Sequence, residues 1–107
     1  MNPKPVVALH YVSDDVQSGY DYLEHGLPGR GERFLKRYFE VTDRIAANPW
    51  VYPVKFDDYH RALVPQKSNL AVYYFQEPEL SVIVAVVDAR RNPRLIRAFI
   101  RGRRERR

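Results

Sequence analysis

Two kinds of hydrophobic periodicity divide this chain. Residues 13–48 carry apolar side chains at helical spacing, whereas residues 58–87 carry β-branched and aromatic side chains in runs of strand length. The run VVALHYV at residues 6–12 predicts a first strand. Ser13, Asp14 and Asp15 then predict a helix start, because such side chains accept hydrogen bonds from free N–H groups and suit the positive end of the helix dipole.

The clearest predicted helix follows a turn at GLPG, residues 26–29, and has the sequence GERFLKRYFEVTDRIAAN. It ends at Asn48, because a residue before proline disfavours the helical conformation. Two helices joined by so short a turn predict an antiparallel hairpin. The predicted apolar face of the second helix consists of Phe34, Leu35, Tyr38, Phe39, Thr42, Ile45 and Ala46.

Three strands are predicted after the hairpin, at residues 58–64, 70–76 and 80–87. The last of them is apolar at nearly every position, so both of its faces should be covered and it should lie inside the sheet. Pro93 then opens a third helix, in which Leu95, Ile96, Phe99 and Ile100 form an apolar stripe and Arg94, Arg97, Arg101 and Arg104 lie opposite. The order β-α-α-β-β-β-α predicts an α+β fold, with a small antiparallel-rich sheet covered by the N-terminal helical hairpin.

Length and composition narrow the class of protein. A chain of 107 residues predicts one domain, spanning residues 1–107 and ending in a basic helix or tail at about residues 93–107. There is no cysteine, which excludes disulfides and thiolate metal sites and suits a reducing cytoplasm. No apolar run is long enough for a signal peptide or a membrane span. The histidines lack ligand spacing, so neither a metal site nor a cofactor is expected.

Charge is distributed unevenly along the sequence. The total is +5, but residues 89–107 hold nine arginines against one acid, which makes that segment +8 and leaves −3 for the remainder. A strongly basic C-terminus predicts attraction to a polyanion, which could be a nucleic acid, an acidic protein segment or an anionic membrane surface. A solvated, frayed tail is the alternative interpretation.

Candidate binding residues cluster where the most apolar strand ends. Guanidinium groups at Arg90 and Arg91 suit phosphates or carboxylates, and Asp88 would orient one of them. Arg61, in the middle of an earlier strand, and Lys67, in the following turn, add basic character.

Other polar and aromatic residues favour structural roles. His60 is expected to be a hydrogen-bonded, partly buried histidine, because it and Arg61 point to opposite faces of one strand. Tyr73, Tyr74 and Phe75 could stack on nucleic-acid bases, but aromatic residues on an inner strand are more often part of the core. No catalytic residue is identified from these patterns.

The ordered set of segments resembles the RelE/ParE toxin superfamily of bacterial type II toxin–antitoxin modules. The resemblance rests on GERFLKRYFEVTDRIAANPWVYP, HRALVPQKSNLAVYYF and VIVAVVDARRNP. It implies a growth-inhibiting cytoplasmic toxin from a plasmid-stabilisation type of module. RelE-like members act as mRNA interferases inside the ribosome, whereas ParE-like members inhibit DNA gyrase by binding.

Matching residue by residue, the resemblance places Arg90 on an arginine that RelE-like members carry at the end of the last strand. The position of their catalytic tyrosine falls near Ile96, and that of a further arginine falls near Leu70 or Ala71. Neither position supplies an acid–base group, and an arginine does not readily release a proton. We therefore expect a ParE-like toxin whose guanidinium groups have no proton donor beside them.

The resemblance also implies a partner and leaves alternatives open. A cognate antitoxin with a disordered acidic segment would fold on the toxin in a hetero-oligomer and bind Arg94, Arg97 and Arg101. The alternatives are a RelE-like, ribosome-dependent endoribonuclease and a non-toxic basic nucleic-acid-binding module.

Overall fold

A five-stranded mixed sheet carries helices on both of its faces in the computed structural model, which describes residues 3–66 and 68–107. The sheet order is β1-β5-β4-β3-β2, with β1 parallel to β5 and the other neighbours antiparallel. The predicted α+β class and antiparallel-rich sheet are confirmed. In chain order the elements are β1 (Val6–Ala8), α1 (Val12–Gly26), α2 (Arg30–Ala47), β2 (Val54–Phe56), β3 (Tyr59–Leu63), β4 (Leu70–Gln76), β5 (Ser81–Asp88) and α3 (Pro93–Glu105).

The sequence analysis missed β2. This strand has three residues, two of them exposed, and pairs with β3 through a two-residue turn at Asp57 and Asp58. An edge strand of three residues, preceded by Pro53, is too short for its alternation of apolar and polar residues to stand out, so its pairing becomes visible only in three dimensions.

Strand β5 lies inside the sheet, as its apolar sequence predicted. It is bordered by β1 and β4, and residues 81–86 are buried. The register against β4 shifts at one point, since Tyr73 faces Ala85 while Tyr74 faces Ile83, which leaves Val84 as an extra residue on β5. Such a β-bulge turns backbone groups away from the ladder, and the Val84 carbonyl is used by α3 as described below.

The α1–α2 hairpin covers one face of the sheet. Its core is built by Phe34, Tyr38, Val41 and Ile45 of α2, against Leu23 of α1 and the β-strands. The predicted apolar face of α2 included Phe39, which is instead 57% exposed. It did not include Val41, which is buried. The contact stripe follows a strict three-and-four spacing, and Phe39 falls beside that stripe, where it lines an outer cleft between α1 and α2.

Close approach and a charged cap fix the hairpin. A Cβ added to Gly19 would lie 2.9 Å from Leu70 Cδ1, so this crossing has room for glycine only. The Glu24 carboxylate accepts hydrogen bonds from the backbone N–H groups of Gly29 and Gly31, and thereby caps the start of α2. Gly29 has a φ of 93°, a left-handed conformation that glycine adopts without a steric cost.

The start of α1 differs from the prediction. The first strand ends at Ala8, and the helix begins at Val12 with Tyr11 as its N-cap and no side-chain cap. Ser13 donates a hydrogen bond to the His10 carbonyl instead of capping the helix. Asp15 points toward β5 and α3, because its carboxylate has partners there that local sequence does not reveal.

Helix α3 packs on the opposite face of the sheet from the hairpin. It buries Ile96 and Ile100 against a second core cluster that contains Tyr73 and Phe75. Of the four predicted apolar positions, Leu95 is 68% and Phe99 is 42% exposed, so the predicted stripe is too wide. The third buried residue of α3 is an arginine, Arg103, which takes the remaining place on the contact face.

Candidate functional site

The candidate site lies where β5 ends and α3 begins. Asp88 is the last residue of β5, and Arg90 and Arg91 occupy the turn that follows. The Asn92 side chain accepts a hydrogen bond from the Arg94 N–H at 2.9 Å and so caps α3, with Pro93 in its first turn. The turn is therefore fixed by backbone hydrogen bonds at both of its ends.

Arg90 is held by the carboxylate that precedes it. Its Nε and Nη2 lie 3.1 and 2.8 Å from the two Asp88 oxygens, and its backbone N–H donates to Asp88 Oδ1 at 2.8 Å. The hydrogen bond from Arg90 lowers the pKa of Asp88 below its ordinary value, and the same contact raises the pKa of Arg90. Asp88 orients Arg90 as predicted, and in doing so it neutralises much of that charge.

A tyrosine contributes to the surroundings of this pair. The Asp88 carboxylate is the main cause of the raised pKa of Arg90, and Tyr22, on α1, adds a smaller contribution. The Tyr22 side chain is 71% exposed and lines a cleft of about 510 Å³ together with Asp88 and Arg91. The fold therefore brings a phenol from α1 into the cleft that Asp88 and Arg91 line, where the sequence analysis expected no proton donor beside the guanidinium groups.

A buried ion pair closes part of the outer edge of β5. Asp15 Oδ2 accepts a hydrogen bond from the Val86 N–H at 2.9 Å, and Arg103 Nη1 donates to the Val84 carbonyl at 3.1 Å. Arg103 Nη2 and Asp15 Oδ1 lie 2.7 Å apart, and both side chains are about nine-tenths buried. The pair supplies the hydrogen bonds that β1 would have made had it continued beyond Ala8.

The sequence analysis did not find this pair. Arg103 was one arginine among nine, and Asp15 was interpreted as part of a helix start. The two residues are 88 positions apart, and no local pattern links them. A weak signal was available, since Arg103 lies seven residues after Ile96 on the helix and therefore shares its buried face.

Three further arginines of the C-terminal segment are paired within the protein. Exposed ion pairs join Arg101 to Asp57, Arg104 to Asp58 and Arg107 to Glu77, with nearest distances of 2.8, 2.7 and 2.9 Å. With the pairs of Arg90 and Arg103, five of the nine C-terminal arginines contact a carboxylate. In the described part of the chain, the arginines without such a pair are Arg91, Arg94, Arg97 and Arg106.

The predicted binding residues therefore divide into separate places. Asp88, Arg90 and Arg91 lie together, and Arg94 and Arg97 follow on exposed positions of α3. Arg97 is 5.4 Å from the centre of the Phe56 ring, whereas Arg101 is engaged by Asp57. These placements locate the residues, and their proposed roles toward a target or an antitoxin stay predictions.

Arg61 lies elsewhere on the sheet. It is on β3, where it pairs with Tyr73 of β4, and β3 is two strands away from β5. The spacing of strands and of residues along them puts its Cα about 14 Å from that of Asp88. The structure does not bring Arg61 and Arg90 to one small site. The predicted Lys67 falls outside the described residues.

His60 and the aromatic residues of β4 belong to the interior. His60 is 1% exposed, and its Nδ1 lies 2.7 Å from the Tyr52 carbonyl while its Nε2 lies 3.1 Å from Gln76 Nε2. This arrangement assigns the proton to Nδ1 and leaves Nε2 as the acceptor of a Gln76 N–H. Its ring stacks on Tyr74, whose hydroxyl donates to the Pro49 carbonyl and whose pKa burial raises to about 12. The predicted structural roles of His60 and the β4 aromatics are confirmed.

No group of three or more His, Cys, Asp or Glu side chains in residues 3–66 and 68–107 is arranged to hold a metal ion. In the same residues, no helix combines the length and apolar character needed to cross a bilayer.

The fold is shared with solved structures of known proteins. The chain is similar to a solved structure described as the chromosomal ParDE TA system from P. aeruginosa, with a TM-score of 0.68 at 8% sequence identity. The match covers 79% of this chain and 95% of that chain. No protein-family model and no curated protein matches the sequence. At so low an identity the similarity establishes the fold, and it confirms the RelE/ParE-like fold that the sequence predicted.

Proposed function

We propose that this protein is the toxin of a ParE-like toxin–antitoxin module that acts in the cytoplasm by binding DNA gyrase and is neutralised by an acidic antitoxin. The observation that carries the proposal is the fold shared with a chain of a ParDE system over most of both chains. The proposal that the protein is a toxin of such a module rests on that fold. The proposal that it acts by binding rather than by catalysis rests on the side chains of the site.

The chemistry of the site supports binding over phosphodiester cleavage. Cleavage of RNA needs a base for the attacking hydroxyl and an acid for the leaving oxygen. The Asp88 carboxylate is a weak base, because Arg90 holds its pKa below the ordinary value. Asp15 is paired with Arg103, and His60 is buried among the core residues, where its ring stacks on Tyr74. Arg91 is then a charged contact for a partner, and the two carboxylates that line its cleft, Asp15 and Asp88, are both engaged by other arginines.

The gyrase proposal is tested with purified components. Supercoiling by DNA gyrase should fall with increasing toxin, and expression in cells should stop growth and cause DNA breaks. Arg91→Ala should relieve growth arrest, whereas Arg44→Ala, an exposed arginine at the end of α2, should not. Normal supercoiling at a saturating concentration of folded toxin would overturn the choice of target.

A second candidate function is favoured by Tyr22. It lines an open cleft together with Asp88 and Arg91, and a phenol near a guanidinium can deliver a proton to a leaving oxygen while the cation stabilises the phosphate. The candidate is a ribosome-dependent mRNA endoribonuclease. Tyr22→Phe distinguishes the two functions, since it removes only the hydroxyl.

Under the endoribonuclease hypothesis, Tyr22→Phe should reduce the rate of message cleavage in a translation extract by about 10²-fold or more. Under the gyrase hypothesis, the same variant should remain toxic and no message should be cut. A plain nucleic-acid-binding module has less support, because five of the nine C-terminal arginines are paired within the chain.

A further inference from the structure

The outer edge of β5 has no strand partner beyond the end of β1 in the described residues. β1 pairs with β5 from Val6 opposite Ser81 to Ala8 opposite Ile83, and β5 then continues to Asp88. Residues 84–88 therefore form the outermost strand segment on that side of the sheet. An open strand edge presents N–H and C=O groups at fixed spacing, and an extended chain can pair with them.

The direction of the backbone groups follows from the hydrogen bonds already present. The Val86 N–H binds the Asp15 carboxylate, so the backbone groups of Val86 face away from β4. Alternation along a strand gives Asp88 the same direction as Val86. The Asp88 carbonyl accepts from the Arg91 N–H at 3.3 Å. The Val86 carbonyl and the Asp88 N–H remain at the edge, and one residue of an added parallel strand would pair with both.

Helices from both faces of the sheet form walls along this edge. On the hairpin side, α1 contributes Ser18, Gly19 and Tyr22 to the cleft of about 510 Å³. On the other side, Phe99 lines the same cleft, and Leu95 joins it in an adjoining cleft of about 450 Å³. Tyr22, Leu95 and Phe99 are the large apolar side chains that α1 and α3 expose there. Alternate side chains of an added strand would contact one wall and then the other.

The charge of the cleft selects an acidic occupant. Both of its carboxylates are neutralised within the chain, Asp15 by Arg103 and Asp88 by Arg90. Arg91 lines both clefts and has no carboxylate partner among the described residues. The charge left for a partner is therefore positive, and it lies beside apolar walls.

We propose that the edge of β5 at Val86–Asp88 is the docking site of an extended, acidic segment of a protein partner, which adds one short strand next to β5 between Tyr22 and Phe99. The inference rests on the proposed function, in which the partner is the antitoxin, and it specifies where and in which conformation that partner binds. The main-chain hydrogen bonds supply the conformation, the walls accept apolar side chains, and Arg91 accepts a carboxylate.

The test uses the full chain labelled with ¹⁵N and a defined probe. The probe is a nine-residue peptide of alternating glutamate and valine, blocked at both ends, titrated at neutral pH. One analogue carries an N-methyl group on the central valine, which removes an N–H donor, and a second replaces every glutamate by lysine. Amide hydrogen exchange and the chemical shift of the Asp88 N–H report pairing at the edge.

The probe should slow the exchange of the Asp88 amide. N-methylation should weaken binding about tenfold, the usual effect of losing one main-chain hydrogen bond, and the lysine analogue should not bind. Arg91→Glu and Leu95→Ser should each weaken the probe, whereas Arg44→Glu, with the same charge reversal on α2, should leave it unchanged. Leu95 is exposed, so its variant tests the site without a folding defect.

Three results would overturn the inference. The first is a probe that binds but shifts only exposed α3 arginines, without protecting Asp88. The second is equal binding by the N-methylated peptide, and the third is protection of Asp88 that depends on protein concentration alone, which would identify a second copy as the occupant. If one of these results is found while the protein still arrests growth, the docking site is wrong and the proposed function stands. If the probe protects Asp88 but the protein is not toxic, the docking site stands and the proposed function is wrong.

Discussion

The two faces of the sheet are covered in different ways. The α1–α2 hairpin buries an almost entirely apolar stripe that includes Phe34, Tyr38 and Ile45. Helix α3 buries only Ile96 and Ile100 as apolar residues, and its arginines make most of its other attachments. These are ion pairs to Asp15, Asp57 and Asp58, a hydrogen bond from Arg103 to the Val84 carbonyl, and contacts of Arg97 and Arg104 with the Phe56 and Phe75 rings. The contrast teaches that the basic C-terminus is a helix attached by its charges to the acidic body.

This difference changes what the charge of the chain means. The segment 89–107 carries +8, and the rest carries −3, which at first suggests a basic arm available to a polyanion. The acidic body instead supplies carboxylates to five of the arginines in that segment. Three of the four unpaired arginines of that segment in the described residues follow the end of β5, namely Arg91, Arg94 and Arg97, and the fourth, Arg106, follows α3.

The largest expected change in the free energy of unfolding distinguishes the buried ion pair from the exposed ones. Arg103→Ala should lower the free energy of unfolding by about 3–5 kcal/mol, because it leaves Asp15 buried without its partner. Urea denaturation measures the change. Arg101→Ala is the matched control on the same helix, and it should cost no more than about 1 kcal/mol, because its pair with Asp57 is exposed. Equal losses for the two variants would contradict the comparison.

The same substitution should have opposite signs in the two regions. Gly19→Ala places a Cβ 2.9 Å from Leu70 and 3.2 Å from Phe34 in a packed crossing, so we expect a net loss of roughly 1 kcal/mol after the gain in helix propensity. Gly102→Ala on α3 meets only the flexible Arg106 side chain, at 3.0 Å, and should stabilise by about 0.5 kcal/mol.

Thermal unfolding of the two glycine variants and the unchanged protein measures both signs. A stabilising Gly19→Ala would show that the hairpin crossing is looser than the distances indicate.

Acid should loosen α3 before the hairpin. Arg101 lowers the pKa of Asp57 from its ordinary 3.8, and Arg107 lowers the pKa of Glu77 from its ordinary 4.5. A depressed folded-state pKa gives stability that is fully present above the ordinary value and is lost as pH falls through the depressed one. The α3 contacts should therefore weaken below about pH 4.5. Amide exchange of α3 against α2, followed from pH 6 to pH 3, measures the order of loss.

The smallest expected effect is that of salt on the amide exchange of α3 compared with α2. Exposed pairs such as Arg104–Asp58 are screened at high ionic strength, whereas the buried Arg103–Asp15 pair is screened much less. Raising NaCl from 0.05 to about 1 M should increase exchange at the C-terminal end of α3 by less than tenfold. The core amides of α2 provide the internal control, and equal changes in both helices would remove the distinction.

The sequence predicted most elements and some of the site. Strand β4 has the predicted bounds, and β5, α2 and α3 lie within a residue or two of theirs, because each carries a regular apolar period or a proline boundary. The prediction failed where position depends on distant neighbours. Phe39 and Leu95 have the residue type of the core, but no element packs over them.

The candidate site shows the same division. Asp88 was predicted to orient one of Arg90 and Arg91, which are its local neighbours at the strand end, and the structure pairs it with Arg90. Tyr22 beside Arg90 was not predicted, since it depends on how α1 crosses the sheet. Arg61 was grouped with Arg90 by charge alone, and the sheet order separates them.

By itself the sequence determined where the chain is helical or extended, which strand is buried on both faces, and where positive charge accumulates. These properties follow from the period of apolar residues and from composition, which act over a few neighbouring residues. Only the tertiary structure decided which charges remain available. The Asp15–Arg103 contact joins residues 88 positions apart, and the edge of β5 is open because β1 ends at Ala8. Both are consequences of how the helices and strands meet, and no local pattern encodes them.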